Sequence, residues 1–246
     1  MDDLTRPFVK RADGVRIAFE RVRGKGPTLV FLPGYMSDMA GTKALALEAW
    51  AAMRGQAMLR LDYSGCGASG GRFEDGTLDI WRDDVLLVIE QIEGPVVLVG
   101  SSMGGWLMLL VARALGGQVK GLVSIAAAPD FTDWGFTNEE KGLIERHGRI
   151  DQPSAYGEPM PTFATFWRSG TTNRQLTAAI PITCPVRLLH GQCDADVPWD
   201  ISMQLAARLR SDDVQVTLVK DGDHRLSREQ DIALLIATVE RLLETL

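Results

Sequence analysis

Short apolar runs alternate along this chain with longer stretches in which apolar residues return every third or fourth position. Near the start, Val15, Ile17 and Phe19 alternate with Arg16, Ala18 and Glu20, the period of a half-buried strand. A shorter run at Phe8 lies across Asp13-Gly14 from it, and that turn dipeptide predicts an antiparallel hairpin. Further strand-like runs cover residues 28–32, 57–61, 96–99, 121–126, 186–189 and 214–219. Between them the helical period predicts helices over about 43–54, 78–92, 105–115 and 201–209, with another at the C-terminal end. The helix from 78 carries its own punctuation: Thr77 can cap it, Leu78, Trp81, Val85 and Val88 share a face with Ile89 and Ile92, and Gly94-Pro95 stops it. The last helix opens on a capping-box pattern, Ser227 with Gln230, and carries the stripe Ile232, Leu235, Ile236, Val239 and Leu242. Strands that alternate with helices and are apolar on both faces predict an α/β fold, a mainly parallel twisted sheet flanked by helices on both sides. Functional side chains in such a sheet belong at the C-terminal ends of the strands.

Residues 129–182 break this rhythm. No clear strand is predicted there, and Pro153, Pro159, Pro161 and Pro181 interrupt helix propagation. The stretch reads as an insertion between sheet strands, within a single domain spanning residues 1–246. It holds Phe131, Trp134, Phe136, Tyr156, Phe163, Phe166 and Trp167, so it is expected to lay an apolar lid over the site; the alternative is that these rings glue the insertion to the body.

Composition narrows the possible partners. A chain of 246 residues with 46% hydrophobic and 24% charged content can bury the core of one such domain. Its net charge of −6 repels nucleic acid and anionic membrane surfaces alike. No apolar run approaches the roughly 18 residues of a membrane span, so no stable membrane insertion is expected. Cys66, Cys184 and Cys193 leave one cysteine over in any pairing and lack metal-ligand spacing, which favours a reducing compartment. With an acidic Met1-Asp2-Asp3 start and no secretory or transit pattern, the expected location is cytoplasmic.

The chemistry concentrates on Gly100-Ser101-Ser102-Met103-Gly104, between an apolar strand run and an apolar helical pattern. A serine at a tight strand-to-helix turn sits in a strained conformation and needs small neighbours on either side, here Gly100 and Gly104. The turn exposes the Ser102 hydroxyl and leaves the Met103 N–H free to donate to a developing oxyanion. A second donor is expected from the loop after the 28–32 strand, Pro33-Gly34-Tyr35, where the Tyr35 N–H is the candidate and a plain turn the alternative. Ser102 needs a base, normally an imidazole oriented by a carboxylate. His224 follows the last strand in a polar loop that can aim it at the serine, whereas His190 is expected to pack or bond backbone at the sheet edge and His147 to be solvated. The carboxylate is expected after the preceding strand, with Asp194 preferred and Asp196 the alternative; Asp223 reads as a turn residue. The Gly-rich run 62–71 lacks the Lys-Ser/Thr of a phosphate loop and reads as a tight turn after a strand.

These residues fall in the motifs GSSMGG, HGQCDADVP and DHRL, which resemble the serine-hydrolase branch of the α/β-hydrolase superfamily. With FLPGYMSDMAGTKALALEAW and LDYSGCGASGG they are more narrowly similar to the subfamily of mitochondrial palmitoyl-protein thioesterases that also cleave acyl glucuronides. The resemblance implies the α/β-hydrolase fold, Ser102, Asp194 and His224 as a triad, and Tyr35 and Met103 as backbone donors. The expected reaction is hydrolysis of a carboxylic ester or thioester through an acyl-serine, on a small-molecule substrate or an acylated protein, with no metal or organic cofactor. A serine at the turn disfavours dehalogenase and epoxide-hydrolase chemistry. Carbon–carbon bond hydrolysis and a non-catalytic ligand-binding role stand as alternatives.

Overall fold

The computed structural model describes residues 6–153 and 159–246. Its strands are β1 (Phe8–Lys10), β2 (Arg16–Val22), β3 (Lys25–Leu32), β4 (Gln56–Leu61), β5 (Val96–Ser101), β6 (Val119–Ile125), β7 (Arg149–Gln152), β8 (Met160–Phe163), β9 (Val186–Gly191) and β10 (Val214–Val219). Eight of them form one sheet in the order β1-β2-β4-β3-β5-β6-β9-β10, and β7 pairs with β8 alone. The expected opening hairpin is present, with Phe8 opposite Ala18. β2 runs antiparallel to both its neighbours, and from β4 onward every pairing in the sheet is parallel.

Alternate residues of the inner strands feed two apolar layers, because successive side chains of a strand point to opposite faces. Leu29, Phe31, Val97, Val99 and Val123 pack with Leu47 and Trp50 of helix α1 (Thr42–Arg54) and with Leu235 and Val239 of helix α8 (Glu229–Leu243). Val30, Leu32, Leu98 and Leu122 pack on the other side, with α2 (Leu78–Ile89), α3 (Met103–Leu115) and Leu205 of α7 (Asp200–Arg208). Helices therefore shield both faces, as the near-continuous apolar runs require. The chain leaves β3 for β4 on one side and returns to β5 on the other. At such a switch of direction the loops diverge and a crevice opens at the C-terminal ends of the two strands.

Element ends differ from the sequence reading by a few residues. α2 is capped as expected, its Thr77 hydroxyl accepting from the Ile80 N–H at 3.1 Å, but it ends at Ile89. α8 is capped one residue later than expected. The buried Asp231 carboxylate accepts from the Arg228 N–H and Nε, while Ser227 Oγ donates to the Arg225 carbonyl instead.

The stretch between β6 and β9 holds α4 (Phe131–Trp134), α5 (Asn138–His147), β7, β8 and α6 (Ala164–Thr172). The β7–β8 hairpin corrects the expectation of no strand here; its short, partly exposed strands lack an apolar run to reveal them. Both ends of the insertion are closed by Asp130, which accepts from the Gln175 and Leu176 N–H groups at 2.7 and 2.8 Å. Its aromatic rings bond within the segment and pack on the body. The Trp134 and Trp167 indoles donate to the Pro129 and Thr132 carbonyls, and the Phe131 and Phe166 rings lie against Tyr35 of the body. From the body, the Trp106 indole donates to the Asn173 carbonyl at 2.9 Å. Tyr156 lies outside the described residues.

Candidate active site

β5 ends one residue before Ser102 and α3 begins one residue after it, so a single residue makes the turn. Ser102 adopts φ 55° and ψ −121°, a conformation costing on the order of 1–3 kcal/mol in a non-glycine residue. Its neighbours must be glycine because the backbones touch. A Cβ at Gly100 would meet the Gly104 oxygen at 2.4 Å, and one at Gly104 would meet the Leu32 oxygen at 2.1 Å. The turn is pinned to the end of β6: Ser102 N–H donates to the Ile125 carbonyl at 2.8 Å, and its own carbonyl accepts from Ala128 at 3.1 Å. Met103 is the first residue of α3, where an N–H has no partner within the helix.

The loop after β3 runs directly against this turn. A Cβ on Gly34 would sit 3.4 Å from Ser102 Cβ and from the Ser101 carbonyl oxygen. Pro33 is held by the buried Tyr63 hydroxyl, which donates to its carbonyl at 2.9 Å. Tyr35 sends its side chain away into the insertion, its hydroxyl donating to the Pro161 carbonyl at 2.9 Å and its ring packing on Phe73, Trp81 and Phe166. Burial pushes that hydroxyl well above the ordinary tyrosine range, so it remains a donor.

Ser102, His224 and Asp194 meet. His224 Nε2 lies 3.1 Å from Ser102 Oγ, and Nδ1 lies 2.8 Å from Asp194 Oδ2. The carboxylate requires a proton on Nδ1, leaving Nε2 to accept from the serine hydroxyl. Asp194 is fixed on its other side as well, Oδ1 accepting from the Asp196 and Val197 N–H groups at 2.9 and 2.8 Å. Burial pushes its carboxyl up, but hydrogen bonds from His190 and His224 outweigh burial and hold it below the usual carboxylate range. Asp196 is exposed, and it is Asp194 that bonds the imidazole. Asp223 accepts from the Leu226 N–H, the turn role expected of it, and His147 is exposed on α5.

His190 packs and bonds backbone as expected, but away from a sheet edge and with a carboxylate as well. β9 lies between β6 and β10 rather than at the sheet edge, and the imidazole is fully buried. Its Nε2 lies 3.1 Å from Asp194 Oδ2 and 3.0 Å from the Val197 carbonyl, and Nδ1 lies 2.7 Å from Ser202 Oγ. The spacing His-Gly-x-x-Asp, a strand end followed by a tight turn, is the one sequence signal that brings the two side chains together. Lys43 of α1 was also missed: its ammonium donates to the Arg225 carbonyl beside His224. Asp194, Asp196 and His224 are the one cluster of potential metal ligands among the described residues. Both Asp194 oxygens are already occupied by the donors above, which leaves the set poorly disposed to hold an ion.

A serine, an imidazole and a carboxylate bonded in this order on a mainly parallel sheet match the arrangement of a serine hydrolase. The chain belongs to the alpha/beta hydrolase family, whose sequence pattern matches residues 29–238. Among its relatives, human palmitoyl-protein thioesterase ABHD10, mitochondrial, is 42% identical over 245 residues, which is 97% of this chain and 80% of that protein. The structure of mouse alpha/beta hydrolase domain-containing protein 10 superposes with a TM-score of 0.92 at 41% identity, covering 98% of this chain and 99% of that one. A putative hydrolase from Agrobacterium vitis S4 superposes with a TM-score of 0.90 at 38% identity, over 97% and 100% of the two chains. The cytoplasmic expectation is overturned by these relatives, since the human, bovine and mouse thioesterases are all named as mitochondrial. Cysteine usage separates reducing from oxidising compartments and does not distinguish one reducing compartment from another. No helix among the described residues is long and apolar enough to cross a membrane.

Proposed function

We propose that this chain hydrolyses acyl thioesters and esters, S-acylated proteins among them, with Ser102 as nucleophile, His224 as general base and Asp194 as the orienting acid. The supporting observation is the continuous bond path Ser102 Oγ, His224 Nε2, His224 Nδ1, Asp194 Oδ2 at 3.1 and 2.8 Å. Ser102 Oγ attacks the acyl carbonyl carbon as its proton passes to His224 Nε2, and the Asp194 carboxylate stabilises the imidazolium. The carbonyl oxygen takes the negative charge and is met by the Met103 and Tyr35 N–H groups, each worth about 2.7–4 kcal/mol to the transition state. The tetrahedral adduct collapses, the C–S or C–O bond breaks, and the leaving group takes the proton from Nε2. Water then attacks the acyl-serine by the same path in reverse, releasing the carboxylic acid.

A long acyl chain is the favoured substrate, by similarity to the palmitoyl-protein thioesterases over nearly the whole chain. Exposed apolar side chains flank the loops that carry Tyr35 and Asp194, Met36 next to Tyr35 and Trp199 just beyond Val197, and offer an apolar surface beside Ser102. If the chain lies on apolar surface, each added CH₂ contributes about 0.8 kcal/mol, so two carbons raise kcat/KM roughly tenfold until the surface ends. The test is a fluorophosphonate label with an acyl-length series on oxygen and sulfur esters. Label on Ser102 that is lost in Ser102→Ala, and rates that climb with length on the thioesters, support the reading. A folded but unlabelled protein points instead to a binding role, and rates falling steadily from acetyl upward remove the long-chain preference.

A further inference from the structure

We infer that His190 is a positioning residue for the acid of the triad, a second imidazole that holds Asp194 Oδ2 in line with His224. The inference rests on the triad reading above. The geometry fixes the place of one proton on this ring. Nε2 faces only acceptors, the Asp194 carboxylate at 3.1 Å and the Val197 carbonyl at 3.0 Å, so it carries a proton. Nδ1 faces the hydroxyl of the buried Ser202 at 2.7 Å, and in the neutral ring it accepts the Ser202 O–H. Neutrality matters for the reaction. A cation here would place a second positive charge on the same carboxylate oxygen that must stabilise the His224 imidazolium, and would oppose its formation.

The surroundings support a dedicated role. Asp194 Oδ1 is held by the Asp196 and Val197 N–H groups, which fix the carboxylate at one oxygen. Without His190 the plane of the carboxylate could pivot about that oxygen, and Oδ2 would leave the line to His224 Nδ1. With it, Oδ2 is held from two directions, and the Val197 carbonyl, the Ser202 hydroxyl and the Asp194 carboxylate lock the ring in turn. The titratable groups meeting His190 are Asp194 and, through the same oxygen, His224; α7 contributes Ser202, and β10 sets the apolar Leu218 beside it in register. A ring at zero exposure that bonds the acid directly is costly unless every polar atom is satisfied, and here both nitrogens are.

The experiment compares His190→Gln, whose amide can reach the Nε2 position and donate, with His190→Phe, which keeps a ring and removes the donor. His190→Phe should lower kcat at least about tenfold with KM within about twofold, and His190→Gln should recover most of the loss. In His190→Phe the freed carboxylate swings out of line with His224 and supports its imidazolium less, so the acid limb of the kcat/KM profile should move to lower pH, a shift that a packing role alone does not produce. An unaltered kcat and acid limb in a folded His190→Phe overturns the inference, as does equal damage in both variants. Should His190→Phe not fold, ¹⁵N NMR of the unmutated protein decides the matter. The His190 ring must show a protonated Nε2 and an unprotonated Nδ1, and the opposite tautomer overturns the inference. Failure of the triad reading is distinguishable, because Ser102→Ala would then remain active whatever the His190 variants do.

Discussion

Two loops of this protein are built on an aspartate whose side chain is buried at the end of a strand, and only one of the two aspartates bonds imidazoles. After β4, Asp62 accepts from the Met39 N–H at 2.7 Å through Oδ1 and from the Ala68 N–H at 2.8 Å through Oδ2. After β9, Asp194 accepts two backbone N–H groups through Oδ1 alone and gives Oδ2 to two imidazoles. The electrostatic outcomes are opposite. Burial dominates at Asp62 and pushes its carboxyl up, whereas at Asp194 the imidazole hydrogen bonds outweigh burial and hold it down. Backbone donors on both oxygens make a structural clasp. Freeing one oxygen for imidazoles turns the same clasp into an acid that can orient a base.

The comparison is broken most sharply by removing each charge. Asp194→Asn should cost about 10⁴ in kcat with the protein still folded, since an amide cannot enforce the tautomer that leaves Nε2 free to accept. Asp62→Asn should leave kcat within about tenfold and appear instead as lost stability in urea, of about 1–3 kcal/mol, because one buried N–H loses a charged acceptor. Next in size come the glycines that let each loop close. A Cβ on Gly67 would sit 2.1 Å from Asp62 Oδ2, and one on Gly191 would sit 2.2 Å from the Gly222 oxygen, in the loop that carries His224. Gly67→Ala should lower the urea midpoint with little effect on turnover of the folded fraction. Gly191→Ala should separate the Asp194 and His224 loops and cost about 100-fold in kcat, the usual penalty for an ångström of misplacement.

The smallest effect is in the pH dependence of stability, where the two aspartates have opposite signs. Asp194, depressed in the fold, contributes stability that is present above the ordinary aspartate range and lost as pH falls below it. Asp62, raised in the fold, binds its proton more tightly when folded, so its contribution is present at low pH and is lost as pH rises through its folded value. Urea melts from pH 3 to 7 should therefore show the wild-type advantage over Asp194→Asn growing with pH up to about 4 and then levelling. The advantage over Asp62→Asn should shrink as pH climbs above about 4. Parallel curves for the two variants would remove the contrast.

Much of this was legible in the chain because its causes are local. The turn at Ser102 needs a strand, a helix and small residues within two positions, all readable in sequence. The choice between Asp194 and Asp196 was harder, since both lie in the same loop and only the direction of one carboxylate separates them. The inner position of His190 and its bonds to Asp194 and Ser202 are not legible, because they depend on β9 being an inner strand and on α7 bringing Ser202 to the ring. The insertion's rings are equally apolar whether they line a substrate surface or fasten a segment, and contacts such as Phe131 and Phe166 on Tyr35 exist only once the chain has folded.

The pattern of apolar positions, with the turn residues between the runs, by itself determined an α/β sheet and placed Ser102, Asp194 and His224 in loops at strand ends, because periodicity and turn chemistry act over a few residues. Tertiary packing decided which carboxylate oxygen meets which nitrogen, that a second histidine joins the acid, and how the inserted segment is tied down. Those outcomes depend on distances of about 3 Å between side chains whose directions are set only when the sheet and its helices close around them.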